Sequence, residues 1–158
     1  MSGSMKQLAR EQWVSALSIV PEPSLENLAK SFPKSWKVAP KALPQSGLGM
    51  LKLRDATLGE AFYLGEFPLA SCWLSVTTED GERAEGSAMV MDDRVDRAEQ
   101  MALCDAVLSA QLPGWEKVAA LIEQGMELRT RQTRERKTIL ARTRVDFSLL
   151  DEVGDGDA

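Results

Sequence analysis

The residues of this chain that could do chemistry are few, and one absence limits them first. Among 158 residues there is no histidine, so neither a Ser-His nor a Cys-His pair can form, and no imidazole is present to act as a base near neutral pH. Catalysis by the chain alone would fall to carboxylates, lysines, Tyr63 or a bound cofactor. Glu99 and Asp105 look at first like paired carboxylates, but a spacing of six on a helix turns them well apart and they do not converge on one atom. A carboxylate that points inward must be satisfied by donors, so either one reads more readily as a hydrogen-bond anchor, from helix to sheet or between subunits, than as an acid or base. Cys72 and Cys104 each lie among apolar residues, where a free thiol behaves as a small hydrophobe. Without histidine the commonest zinc partner is missing too, and no metal site is expected.

Phosphate-binding signals are equally thin. Gly47-Leu48-Gly49 lacks the lysine and the spacing of a phosphate loop. The basic run Arg129, Arg131, Arg134, Arg136, Lys137, Arg142 and Arg144 could track phosphates, yet Glu127 and Glu135 interrupt it. The chain as a whole carries a net charge of −5 and a pI near 4.9. A solvated helix face or a surface for an acidic partner explains the run better than nucleic acid does. Trp13, Trp36, Trp73 and Trp115 read as core or interface anchors and not as a base-stacking platform.

The elements that position these residues follow from periodicity. Leu8, Trp13, Ala16, Leu17 and Val20 share a helical face over Lys6 to Val20, and Pro21 stops it. Ser24 is placed to cap a second helix that runs to Phe32. Trp36 to Leu43, holding Pro40, reads as an edge strand; Leu48 to Leu53, Ala61 to Phe67, Ala70 to Thr77 and Arg83 to Met91 read as further strands. Asp80-Gly81 forms the turn before the last of these. Gly86 marks either a bulge or a close approach of another backbone, with a partner surface as one explanation. A helix follows over Asp96 to Ala110, with Ala98, Met101, Ala102, Ala106 and Leu108 on its apolar face. A final helix spans Trp115 to about Arg144, and Gly125 is expected to break or bend it. The fold class is therefore α+β: one antiparallel sheet of four to five strands flanked by N-terminal and C-terminal helices, in a single domain. Residues 1–5 read as a tag or disordered start, 6–150 as the domain, and 151–158 as a disordered acidic tail. No apolar run suits a bilayer or a secretory signal, so a cytoplasmic location is the default.

Four groups of residues, in order along the chain, resemble the PhnG family, a small subunit of the bacterial carbon–phosphorus lyase core complex. They are Arg10-x-x-Trp13-x-x-x-Leu17, Gly59-x-x-Phe62-x-x-Gly65-Glu66, Ala98-Glu99-x-x-Ala102-x-x-Asp105-Ala106 and Thr143-Arg144-Val145-Asp146-Phe147. The resemblance implies phosphonate catabolism. In that setting the complex displaces adenine from a purine nucleoside triphosphate with a phosphonate such as methylphosphonate, giving a ribose 1-phosphonate 5-triphosphate. It implies partners as well: a PhnI-like large subunit, to which the chemistry is mainly attributed, with PhnH-like and PhnJ-like subunits, and neither nucleic acid nor membrane. An accessory role suits a chain without histidine, with no catalytic residue, no metal and no cofactor of its own; the nucleoside triphosphate belongs to the complex. Gly59, Phe62, Gly65, Ala98, Glu99, Ala102, Asp146 and Phe147 are the candidates for partner contact, and Arg142 and Arg144 for contact with phosphate. The alternative is a stand-alone module that binds a small anionic ligand.

Overall fold

A short 3-10 turn at Arg10–Gln12 leads into α1 (Trp13–Leu17), which with α2 (Glu22–Ser31) precedes the sheet. This is a computed structural model, and it describes residues 9–142 of the chain. The N-terminal helix is shorter than its apolar periodicity predicts, although Ala16, Leu17 and Val20 are buried as that face requires. The second helix begins before Ser24, with Pro21 at its N-cap and no side-chain cap. Pro23 is tolerated there because the first-turn N–H it lacks has no partner inside a helix.

Among the described residues the sheet has three strands and not four or five: β1 (Lys37–Arg54), β2 (Ala61–Thr77) and β3 (Arg83–Val90), antiparallel in the order β1-β2-β3. Trp36–Leu43 and Leu48–Leu53 are two parts of one long β1, and Ala61–Phe67 and Ala70–Thr77 two parts of one long β2. The prolines and glycines that suggest breaks are absorbed without ending the strands. Pro40 and Pro44 lie on edge strand β1, where register shifts fall between Pro40 and Ala42 and between Ala42 and Gln45. Pro68 lies on β2 beyond the stretch paired with β3, so its missing N–H does not interrupt a three-stranded ladder. The ring of Phe67 packs beneath Gly49, its register partner, giving that glycine the cross-strand contact it lacks a side chain to make. The β2–β3 connection closes at Thr78–Glu82 through Thr78 N–H to Glu82 O (2.9 Å) and Gly81 N–H to Thr78 O (3.1 Å), as Asp80-Gly81 predicts.

Two helices complete the body, α3 (Val95–Ser109) and α4 (Trp115–Arg142). Alternate residues Ala70, Cys72, Leu74 and Val76 of β2 and Ala84, Ala88 and Val90 of β3 are buried, as are Ala98, Met101, Ala102, Cys104 and Ala106 of α3. These small side chains let the helix lie very close to the sheet. A Cβ at Gly86 would meet Ala102 O at 2.0 Å and Ala106 N at 2.5 Å. The pairing of β3 with β2 stays in register through Gly86, so this glycine is a point of close approach inside the chain and neither a bulge nor a partner contact. Gly125 has the same role and does not break α4, which runs unbroken across it: a Cβ there would lie 2.2 Å from Ala16 O of α1. Phe32 stacks on Trp36 (5.6 Å) at the border of the core.

Candidate partner interface

Asp105 of α3 is the charged residue most deeply placed in this body, 4% exposed. It accepts Arg10 Nε–H (2.8 Å) and Nη2–H (2.7 Å) from the N-terminal turn and the Ser87 N–H (2.9 Å) from β3. Arg10 Nη2 also reaches Glu85 O at 3.3 Å. Donation to the Asp105 carboxylate raises the Arg10 pKa above its usual value, against partial burial. The arrangement occupies the outer edge of β3, where exposed N–H and C=O groups would otherwise invite another strand, and ties three elements together. Both carboxylate oxygens of Asp105 are engaged internally, so the carboxylate is a structural anchor of the helix-to-sheet kind. Arg10 and Asp105 come from two of the motifs quoted above and meet across a separation of 95 residues.

The thiols are equally removed from chemistry. Burial pushes Cys104 up to about 12, with the charge of Asp105 adding to it, and raises Cys72, with Glu99 as a second cause. Neither supplies a thiolate at neutral pH. Among the described residues no three Cys, Asp or Glu side chains gather to hold a metal ion.

The outer face of the sheet carries Trp73, half-exposed, with Lys41 Nζ 5.4 Å from its ring centre and paired to Glu85 at 2.8 Å. The Lys41 hydrogen bond holds Glu85 below the usual carboxylate range, and Trp73 contributes to the same effect. This cluster is solvated and already paired.

The unusual region is the far half of the hairpin. β3 pairs with β2 only over Ala70–Thr77, so β1 and β2 continue past it as a two-stranded ribbon, from about residue 45 to 69, against which no helix of the described residues is laid. Its tip is closed by local bonds: Asp55 Oδ1 accepts the N–H groups of Thr57 (2.6 Å) and Leu58 (2.8 Å), and Asp55 N–H reaches Glu60 O (2.8 Å). Those two backbone donors lower the Asp55 pKa, and Gly59 supplies the positive φ (69°) that the turn requires. Along the ribbon, Leu48, Met50, Leu51, Leu53, Phe62, Tyr63 and Leu64 are all exposed, Leu64 at 64%. Leu64 has no register partner, because Leu51 pairs with Gly65 and Lys52 with Tyr63. This bulge puts apolar side chains on both faces.

The candidates for partner contact therefore separate. Gly59, Phe62 and Gly65 sit together on the ribbon, and a Cβ at Gly59 or Gly65 would meet nothing within 4 Å. Ala98 and Ala102 are fully buried and their small size serves α3–β3 packing, leaving no surface for a partner. Glu99 is exposed on α3, beside an apolar recess of about 420 Å³ reached by Val38, Pro40 and Leu103. Arg142 is the last residue of α4, and Arg144, Asp146 and Phe147 lie outside the described residues. Sequence reasoning missed the other exposed apolar residues of the ribbon. Their signal was present in the consecutive apolar residues at 50–51 and 62–64, which a half-buried strand does not need.

Fold and surface together define an α+β domain with a closed core, an exposed apolar arm and, among the described residues, no assembled catalytic constellation. The family model of the phosphonate metabolism protein PhnG matches residues 8–151, and the chain belongs to that family, whose role is in phosphonate metabolism. Comparison with individually curated proteins gives no match.

Proposed function

We propose that the chain is an accessory subunit of the assembly that exchanges adenine of a purine nucleoside triphosphate for a phosphonate, giving a ribose 1-phosphonate 5-triphosphate, in the cytoplasm. The family match supports the pathway, and the exposed apolar ribbon is the observation that carries the subunit role. Isolated two-stranded ribbons are marginal in water, and apolar surface left open on a folded domain marks a place where another molecule sits. The expected occupant is a PhnI-like large subunit, with PhnH-like and PhnJ-like subunits in the same assembly. The chain brings no cofactor and no nucleophile to the reaction; its contribution is to hold the large subunit's surface in place.

Co-expression with these subunits, followed by size-exclusion chromatography and an assay of adenine release from ATP with methylphosphonate, tests the reading. The complex should contain the chain and lose activity without it, and the chain alone should release no adenine. Turnover by the isolated chain, abolished by mutating one of its own residues, would sink the proposal. One observation favours the alternative of an anion-binding module. Arg129, Arg134 and Lys137 line one shallow depression on α4 with Thr130, Thr133 and Thr138. Part of the basic run is engaged internally, however: Arg131 pairs with Glu135 (3.0 Å) and Arg129 bonds Ser15. Titration of the chain with tripolyphosphate separates the two readings.

A further inference from the structure

We infer that the ribbon receives its partner by strand addition: an extended, apolar segment of the large subunit pairs with the open edge of β2 over Ala61–Phe67, end to end with β3. This rests on the subunit reading above and names the mode of contact.

The three edges of the sheet are treated differently. The outer edge of β3 is occupied, with Ser87 N–H bound to Asp105 and Glu85 O bound to Arg10. The outer edge of β1 carries Pro40 and Pro44 with register shifts around them beside the body, and Lys52 and Arg54 near the tip; prolines, bulges and cationic residues are the devices that keep an edge from pairing, and here they flank the short stretch 46–51 from both ends. The side of β2 that β3 covers over Ala70–Thr77 is uncovered from Ala61 to Leu69, and no described residue pairs with it. Pro68 has no N–H to offer, which sets the limit of an added strand at Phe67. Main-chain donors and acceptors in a row call for an extended backbone, not for a helix or a small ligand. The side chains above and below specify its character. Phe62, Tyr63 and Leu64 are apolar and exposed, while Gly65 leaves open space above the backbone, so the entering strand is apolar and approaches closely. Fixed charge cannot be the chief attraction, since Glu60 and Glu66 are the only acidic or basic side chains between 60 and 67 that carry charge at neutral pH.

Residue-resolved amide hydrogen exchange, on the full chain alone and in complex with the large subunit, tests this. Strand addition protects the amides facing away from β1, alternate residues on either side of the Leu64 bulge, because the others already pair with it. In the free chain the outward amides of Ala61–Phe67 should exchange freely; in the complex they should slow by about a hundredfold or more, in alternation. A complex in which these amides stay open, or in which protection falls on the outer edge of β1, overturns strand addition and leaves the subunit reading standing. Concentration-dependent dimerisation of the chain alone with the same protection pattern also overturns it, because the occupant is then a second copy. Failure to form any complex overturns both.

Discussion

The near and far halves of the same hairpin make a direct comparison. Both halves belong to β1 and β2, and both are rich in apolar residues. In the near half α3 covers one face, and Ala70, Cys72, Leu74 and Val76 are buried in strict alternation. In the far half no described residue covers either face as α3 does, and every residue from Ala61 to Glu66 is exposed. Length explains the difference. A helix of 15 residues such as α3 spans about 22 Å, whereas a strand of 17 residues such as β2 runs about 56 Å. Among the described residues no second helix is placed to cover the remainder. Apolar patterning thus marks where something must pack, and only the length of the covering element shows whether that something is in the same molecule.

Four changes test how sharp the boundary is. The largest effect is expected at Gly86, where an added methyl would run into the backbone of α3. Gly86→Ala should destabilise the fold by about 3 kcal/mol or prevent folding, whereas Gly47→Ala, on the ribbon with nothing within 4 Å, should change urea-induced unfolding by less than about 0.5 kcal/mol. Equal effects at the two glycines would erase the distinction between body and arm. Asp105→Ala should cost about 3 kcal/mol, because it strips the partner from Ser87 N–H and from Arg10 at once; Asp105→Asn should cost less. Gly125→Ala comes next, at about 2 kcal/mol destabilising. An ordinary exposed helix glycine would give a gain of about 1 kcal/mol on the same change, so the sign alone decides whether α1 lies against α4 there.

The smallest of the four concerns pH. Cys104 titrates at about 12 in the fold against a usual value of 9.0, so its folded pKa lies above its unfolded one. Its contribution to stability is then complete below about pH 9 and is lost as pH rises toward 12. Cys104→Ala should flatten that alkaline decline in thermal unfolding, and neither Cys72 nor Cys104 should react with a thiol reagent at pH 8 until the chain is unfolded.

Much of the body was legible from the residues. Helical periodicity located α3 and α4 to within a residue or two at their described ends, and Asp80-Gly81 located the β2–β3 turn. Strand number was not legible, since Pro40, Pro44, Pro68, Gly47 and Gly49 are breaks by local propensity. An edge position, a bulge or a cross-strand aromatic such as Phe67 cancels each of them, and all three are tertiary facts. The same holds for Gly125, a helix breaker by propensity that becomes a requirement once Ala16 lies against it. Of the candidate site, the grouping of Gly59, Phe62 and Gly65 on one exposed stretch was legible, because glycines flanking an aromatic advertise an approachable backbone. Ala98 and Ala102 carried the same small-residue signal, but it referred to a neighbour in the same chain. Periodicity cannot tell an internal neighbour from an external one.

If the ribbon is the partner surface and not part of the stable core, a ribbon-altered chain shows it most directly. In Phe62→Ser/Leu64→Ser, circular dichroism and the unfolding midpoint should match those of the parent chain to within about 0.5 kcal/mol, since both side chains are exposed. Binding to the large subunit, measured by calorimetry, should weaken by about a hundredfold or be lost. A folded double variant that binds as tightly as the parent would contradict the account and move the interface to another face of the molecule.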